Sequence, residues 1–202
     1  MSVEAQTAGI LFVRFAGSSN WDRVGQRLTI SNRKVSDFYF KTYRAGSPSG
    51  TISFTIRKVS DDSIAASTEY GNAASVSADT TGVWIGVNFA PAVNINEECR
   101  ALMEWSGTIG DVDNYLAYIA STSDVKASEY ITRKAGTAAY SDDSVPSRDA
   151  AYYYVYDTAD TLQVSTQAVA SIAATSATGH GRLDVFASTV GVTQYGHCWD
   201  TA

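Results

Sequence analysis

From Val35 to Trp105 the chain repeats one pattern, a large apolar residue at every second position with turn-forming residues between the runs. Phe38 and Phe40 form one such run, and Ile52, Phe54 and Ile56 form the next. A period of two predicts half-buried β-strands, because successive side chains point to opposite faces. Between these runs, Gly46-Ser47-Pro48-Ser49-Gly50 supplies glycine for positive φ and proline for a fixed φ. Phe38–Ile56 is therefore predicted to be a β-hairpin. The pattern returns at Val83–Phe89, which is expected to stop at Ala90-Pro91, and again at Cys99–Trp105.

Read in order, residues 1–24 hold one short apolar run, Ile10–Phe15, expected as an opening strand or an arm. Residues 25–158 are expected to form the main domain. Gly25–Ile30 predicts a strand ending in a turn at Ser31-Asn32, and Ile64–Ser67 predicts a short one after the Ser60-Asp61-Asp62-Ser63 turn. Tyr70–Gly82, small and polar, reads as a long loop. Tyr115–Ile119 is a further strand, Glu129–Lys134 and Thr137–Tyr140 a lesser pair, and Ala150–Tyr156 the closing strand. Roughly ten short strands with turn signals and no helical period predict an all-β sandwich or barrel.

The order of these pieces carries a resemblance. The Ala45-Gly46-Ser47-Pro48-Ser49-Gly50 turn between strands, followed by Gly82-Val83-Trp84-Ile85-Gly86-Val87-Asn88-Phe89-Ala90-Pro91-Ala92-Val93, resembles the galactose-binding-like jelly-roll modules. These include the choice-of-anchor type of bacterial surface and phage structural proteins. The likeness spans about Gly25 to Tyr156, and it implies an antiparallel jelly-roll β-sandwich that binds or scaffolds. It brings no catalytic residues. Residues 159–202, with Thr175-Ser176-Ala177-Thr178-Gly179 and Gly196-His197-Cys198-Trp199-Asp200-Thr201, resemble the start of a fibronectin type III or bacterial Ig-like repeat. Such a domain needs roughly 90–100 residues. The segment is expected to be an incomplete Ig-like domain, completed by further chain or by strand addition from another subunit.

Composition and charge narrow the function classes. Among the 202 residues, β-branched, aromatic and small polar types suit an all-β extracellular or virion protein. The formal net charge of -6 argues against a nucleic-acid partner, since phosphate recognition needs a basic surface. No apolar run approaches the ~20 residues a membrane-spanning helix needs, so no membrane insertion is expected. The first residues lack a basic segment and are not expected to be a secretory signal. Cys99 and Cys198 have no framework spacing and are expected as buried thiols, with a bridge between them left open.

Three constellations bear on chemistry. His180, His197 and Cys198 lack the further partners that a zinc site or a thiol nucleophile requires, and the resemblance to an Ig-like repeat implies core positions for Cys198 and Trp199. No cofactor is expected. The one metal expectation is a structural calcium ion in the Gly107–Asn114 loop, with Asp111, Asp113 and Asn114 as ligands. Calcium takes about six to eight oxygens, and acidic turns, Asp61-Asp62, Glu97-Glu98 and Asp142-Asp143 included, could supply them; with no EF-hand-like pattern present, plain solvated turn residues are the favoured reading throughout. Tyr39 and Tyr43 fall opposite Phe38 and Phe40, and Tyr152, Tyr154 and Tyr156 share one strand face. These five tyrosines are the candidate ligand or interface residues, because tyrosine offers rigid area with a hydroxyl.

No catalytic residues are identified, and the chain is expected not to be an enzyme. The expectation is a structural protein of a viral particle or extracellular assembly, located in the virion or at the cell surface. It would be a homo-oligomer, or contact other subunits, through sheet edges and tyrosine faces. The alternative is a carbohydrate-binding or adhesion module of a large surface protein, with glycans as ligands.

Overall fold

The computed structural model describes residues 1–15, 21–107, 112–143 and 148–158, together with the backbone of Leu162–Ala170 and Thr178–Val185. The chain divides into two compact units, Met1–Thr158 and Ala159–Ala202. The first is all-β and sandwich-like. Its strands are β1 (Ser2–Gln6), β2 (Leu11–Phe15), β3 (Arg23–Ala45), β4 (Thr51–Lys58), β5 (Ile64–Asn72), β6 (Val83–Trp105), β7 (Tyr115–Ala120), β8 (Tyr130–Lys134), β9 (Ser141–Asp142) and β10 (Tyr152–Thr158). One 3-10 turn, Ala73–Ser75, is capped by the Asn72 side chain, which accepts from the Ala74 N–H. In the second unit, β11 (Leu162–Ala170) and β12 (Thr178–Val185) pair antiparallel.

All ten strands of the first unit belong to one antiparallel sheet in the order β1-β10-β3-β6-β4-β5. β7 and β8 take further stretches of β3, and β2 and β9 pair with β7 and β8 in turn. The axis of this arrangement is the β3–β6 ladder, which runs from Arg23 opposite Glu104 to Thr42 opposite Val83. Each strand is 23 residues long. A sheet with one apolar face and strands this long buries that face by folding over on itself. Phe40 of β3 meets Phe54 of β4 at 6.1 Å between ring centroids, although these strands are not neighbours in the ladder. One continuous core holds Leu28 and Ile30 from the first half of β3, Phe38 and Phe40 from the second, and Ile52, Phe54 and Ile56 from β4.

Two irregularities let β3 cross between the layers while keeping its apolar side inward. Val24, Leu28 and Ile30 are buried at even positions, Val35 at an odd one, and Phe38 and Phe40 at even positions again. The register shifts lie between Ile30 and Arg33 and between Val35 and Asp37, and Asn32 takes φ 51° at the first. A bulge adds a residue and so exchanges the two faces of a strand.

Several expectations need correction. The predicted Phe38–Ile56 hairpin does not form, because β6 lies between β3 and β4. The Gly46–Gly50 link is instead a crossing from one layer to the other. Val83–Phe89 and Cys99–Trp105 are one strand, since Pro91 falls in the β6 bulge opposite Val35–Asp37, where a missing N–H breaks no ladder bond. Gly25–Ile30 likewise continues through Ser31-Asn32 as part of β3, and Tyr70–Asn72 belong to β5. The Ile10–Phe15 run, by contrast, takes the first of its two expected forms, an opening strand: β2 pairs with β7 throughout, and Phe15 is fully buried.

The β3–β6 approach is close at Gly25, where a Cβ would strike the Ala101 carbonyl across the ladder. Gly25→Ala is expected to cost about 1–3 kcal/mol by forcing the two strands apart. Urea denaturation followed by far-UV circular dichroism measures this, and an unchanged midpoint would mean that the strands are not held this tightly.

Candidate functional site

Residues directly opposite each other on paired strands share a face of the sheet. On the outer face of β1-β10-β3-β6, three rows lie side by side. Val3, Val155, Asp37 and Asn88 make the first, and Ala5, Tyr153, Tyr39 and Gly86 the second. Lys41 and Trp84 make the third. At the centre, Tyr39 and Tyr153 stack at 4.3 Å with 13° between their planes, and Trp84 meets Tyr153 edge-on at 5.0 Å. Gly86 permits this, because a Cβ there would run into the Tyr39 ring. Val3 and Trp84 remain 61% and 37% exposed, an apolar surface that the fold leaves open.

Polar groups frame the rings. The Asp37 carboxylate accepts from the Ser36 hydroxyl at 2.6 Å and from the Asn88 amide at 3.2 Å, which fixes it beside the aromatic row. Burial first, and then the Asp37 charge, pushes the Tyr39 hydroxyl above its ordinary range. Burial does the same at Tyr153. Both phenols are therefore neutral at physiological pH.

Farther along β3 this outer face is roofed. Tyr43 packs with Ala117, Ile119, Ala151 and Tyr115, beneath Phe12 at 5.4 Å. The segment from Ser77 to Gly82 lies alongside, with the Arg44 N–H donating to the Ser77 carbonyl and Gly82 set against Ile119 and the Lys41 stem. Of the five candidate tyrosines, only Tyr39 reaches the open platform, and Tyr43 is 5% exposed. Tyr152 and Tyr154 do share a face, but it is the inner one: both are buried in the core, stacked on Phe38 at 5.6 Å each. Tyr156 lies half-buried beside Tyr154, under the Arg33 guanidinium. Tyr153 and Trp84, which sequence reasoning passed over, complete the site. The available signal was the parity of Tyr39 against Phe38 and Phe40, and a glycine inside a strand, which marks close approach of another group.

The outer face of the other layer is charged. Arg27, Arg100 and Arg57 stand directly opposite one another on β3, β6 and β4. Their repulsion is answered by interleaved carboxylates. Glu98 and Asp142 take Arg27 at 2.7 and 2.6 Å, and Glu104 takes Arg57 at 2.7 Å and Arg23 at 3.3 Å. Tyr140 lies over Arg100 and donates its hydroxyl to Asp62 at 3.0 Å. A pocket of about 280 Å³ opens beside this network, lined by Arg23, Ser53, Thr55, Glu104 and Trp105 among others. Glu104 in it is committed to Arg57, Arg23 and the Thr55 hydroxyl.

A third polar group sits between the layers. Gln26 donates to Asp149 at 2.7 Å and to Glu129 at 3.5 Å, and the Tyr152 hydroxyl donates to Glu129 at 2.6 Å. Asp149 also accepts the N–H groups of Val125 and Lys126, so this pair ties the 121–129 loop to the sheet. Burial pushes the Glu129 carboxyl up, and the Tyr152 hydrogen bond and Lys126 charge offset this only in part.

Among the described residues, no three His, Cys, Asp or Glu side chains gather as a metal site. The Asn114 side chain accepts from the Ser47 N–H at 2.6 Å, beside the φ 59° glycine at 46, and so acts as a turn support. Asp113 is its chain neighbour, and Asp111 lies outside the described residues. The expected acidic pairs serve as counterions: Glu97 to Lys58, Glu98 and Asp142 to Arg27, Asp143 to Arg133 and Arg148, and Asp62 to Lys134. Cys99 is a buried thiol, whereas His197 and Cys198 lie outside the described residues. No protein-family model matches the chain, and no curated protein matches it.

Burial pushes the Glu104 carboxyl up, but the hydrogen bonds from Arg57 and Thr55 and the charge of Arg23 outweigh it, holding the group below its ordinary 4.5. A carboxyl with a depressed folded pKa stabilises the fold above its unfolded pKa and loses that contribution as pH falls through the folded value. Glu104→Gln is therefore expected to destabilise by on the order of 1–2 kcal/mol at pH 7, with solvent screening included, and by progressively less below pH ~4. Thermal melts across pH 2–8 (about) read the difference, and a gap that widens in acid would contradict it.

Proposed function

We propose that this chain is a non-enzymatic structural protein of a viral particle or extracellular assembly, making subunit contacts through the outer face of β1, β10, β3 and β6. The observation that carries the reading is the Tyr39–Tyr153–Trp84 cluster, held open on that face beside an exposed Val3. Protein interfaces are enriched in tyrosine and tryptophan, and their energy is concentrated in a few such residues. The ring arrangement favours a protein partner over a sugar. A sugar stacks on a free aromatic face, whereas Tyr39 stacks on Tyr153 and lies against the backbone of Gly86. The charged face of the other layer supports the same division, since its cations and carboxylates are paired within the fold.

Sedimentation of the protein isolated from its source, joined to electron microscopy, tests this. The wild type is expected to travel with a particle or filament. Trp84→Ala is expected to weaken that association by about 2 kcal/mol, roughly thirtyfold, with an unchanged far-UV spectrum. A variant that stays in the assembly as firmly as the wild type, or a free monomer that binds glycans through Trp84, would overturn the reading.

A further inference from the structure

Resting on the reading of this face as a subunit contact, we propose that its partner is a second copy of this chain. The two copies would dock face to face about a two-fold axis lying in the contact plane, across the strands, along the Tyr39–Tyr153 row. The outward positions of β3 are Asp37, Tyr39 and Lys41 in succession. They put an anion and a cation at equal distances, roughly 6.6 Å, on either side of the central ring. A two-fold contact is isologous: each patch meets its own copy, and every contact occurs twice.

The charges select among the ways two such faces can stack. With the axis across the strands, the two ends of the patch exchange, so Lys41 falls on Asp37 of the partner subunit, and the reverse. Trp84 then meets Asn88 of the partner subunit, and the aromatic row meets itself. With the axis along β3, Asp37 would face Asp37 of the partner subunit, and Lys41 would face the partner's Lys41, an arrangement that costs several kcal/mol. The antiparallel docking is the one in which an apolar centre is flanked by two complementary pairs. Asp37 is suited to it, because Ser36 and Asn88 fix its carboxylate at the face. The result is aligned packing of two sheets about 10 Å apart, which is how sheets pack within a single fold.

Charge reversal gives a test with an internal control for folding. Asp37→Lys sets lysine against lysine twice, and Lys41→Glu sets carboxylate against carboxylate twice. Each variant alone is expected to dimerise at least about a hundredfold more weakly than the wild type by analytical ultracentrifugation. An equimolar mixture of the two restores both attractive pairs and is expected to return to wild-type dimer, as is the doubly reversed chain. Single variants that stay dimeric, or a mixture that stays monomeric, would overturn the proposal. A purified wild type that is monomeric while Trp84→Ala is still released from the native assembly would reject self-pairing and leave the subunit-contact reading standing. A native assembly indifferent to Trp84→Ala would reject both.

Discussion

The pairing of β3 with β6 along 23 residues each is the constraint on which the rest of this fold depends. Every other part of the sheet attaches to it, directly or through one neighbour. β10, β7 and β8 occupy successive stretches of one edge of β3, and β4 takes the far edge of β6. A ladder of this length would expose an apolar face larger than any single layer could cover, so it must fold over. The bulges at Asn32 and opposite Pro91 decide where it does so, and they exchange the faces so that Ile30, Val35 and Phe38 all point inward. Without that exchange, half of β3 would present its phenylalanines to water, at roughly 1.5–3 kcal/mol each.

The period-two pattern made the strands and their inward residues legible, because burial acts on alternate side chains and leaves its trace in composition. Phe38, Phe40, Ile52, Phe54 and Ile56 are all in the core. Pairing was not legible. A strand's pattern records which side is buried and carries no label for its neighbour, so Phe38–Arg44 and Thr51–Arg57 read as a hairpin although β6 separates them. Proline misled in a similar way. Pro91 marks a strand stop by sequence alone, yet a bulge accepts it without loss.

The candidate site was legible only at Tyr39, and the reason is instructive. The side of β10 that carries three tyrosines, Tyr152, Tyr154 and Tyr156, is the core side. A core aromatic needs only a partner for its hydroxyl, and Tyr152 has Glu129 while Tyr154 has Arg33. The opposite side carries Tyr153, and its meaning depends on strands far away in sequence: Tyr39 beside it, Gly86 beyond, and Trp84 above. A cluster drawn from three strands becomes visible only once their order is known.

The edges of the sheet explain why association would be directed to a face. An exposed strand edge with free N–H and C=O groups invites pairing with any other chain, and soluble β-proteins blunt such edges with charge, short length and bulges. Here β1 is five residues long, and its central Glu4 is held by Arg33 and Lys126. At the other end, β5 bears register shifts against β4 at both of its extremities and carries Glu69 between Thr68 and Tyr70. Edge-to-edge addition is discouraged at both ends of this strand order, while the face of β10, β3 and β6 leaves Trp84 exposed beside the half-buried Tyr39 and Tyr153. A two-fold contact made through that face would have a fixed orientation and would use up the surface that makes it, so growth beyond a pair would take a second contact elsewhere on the chain.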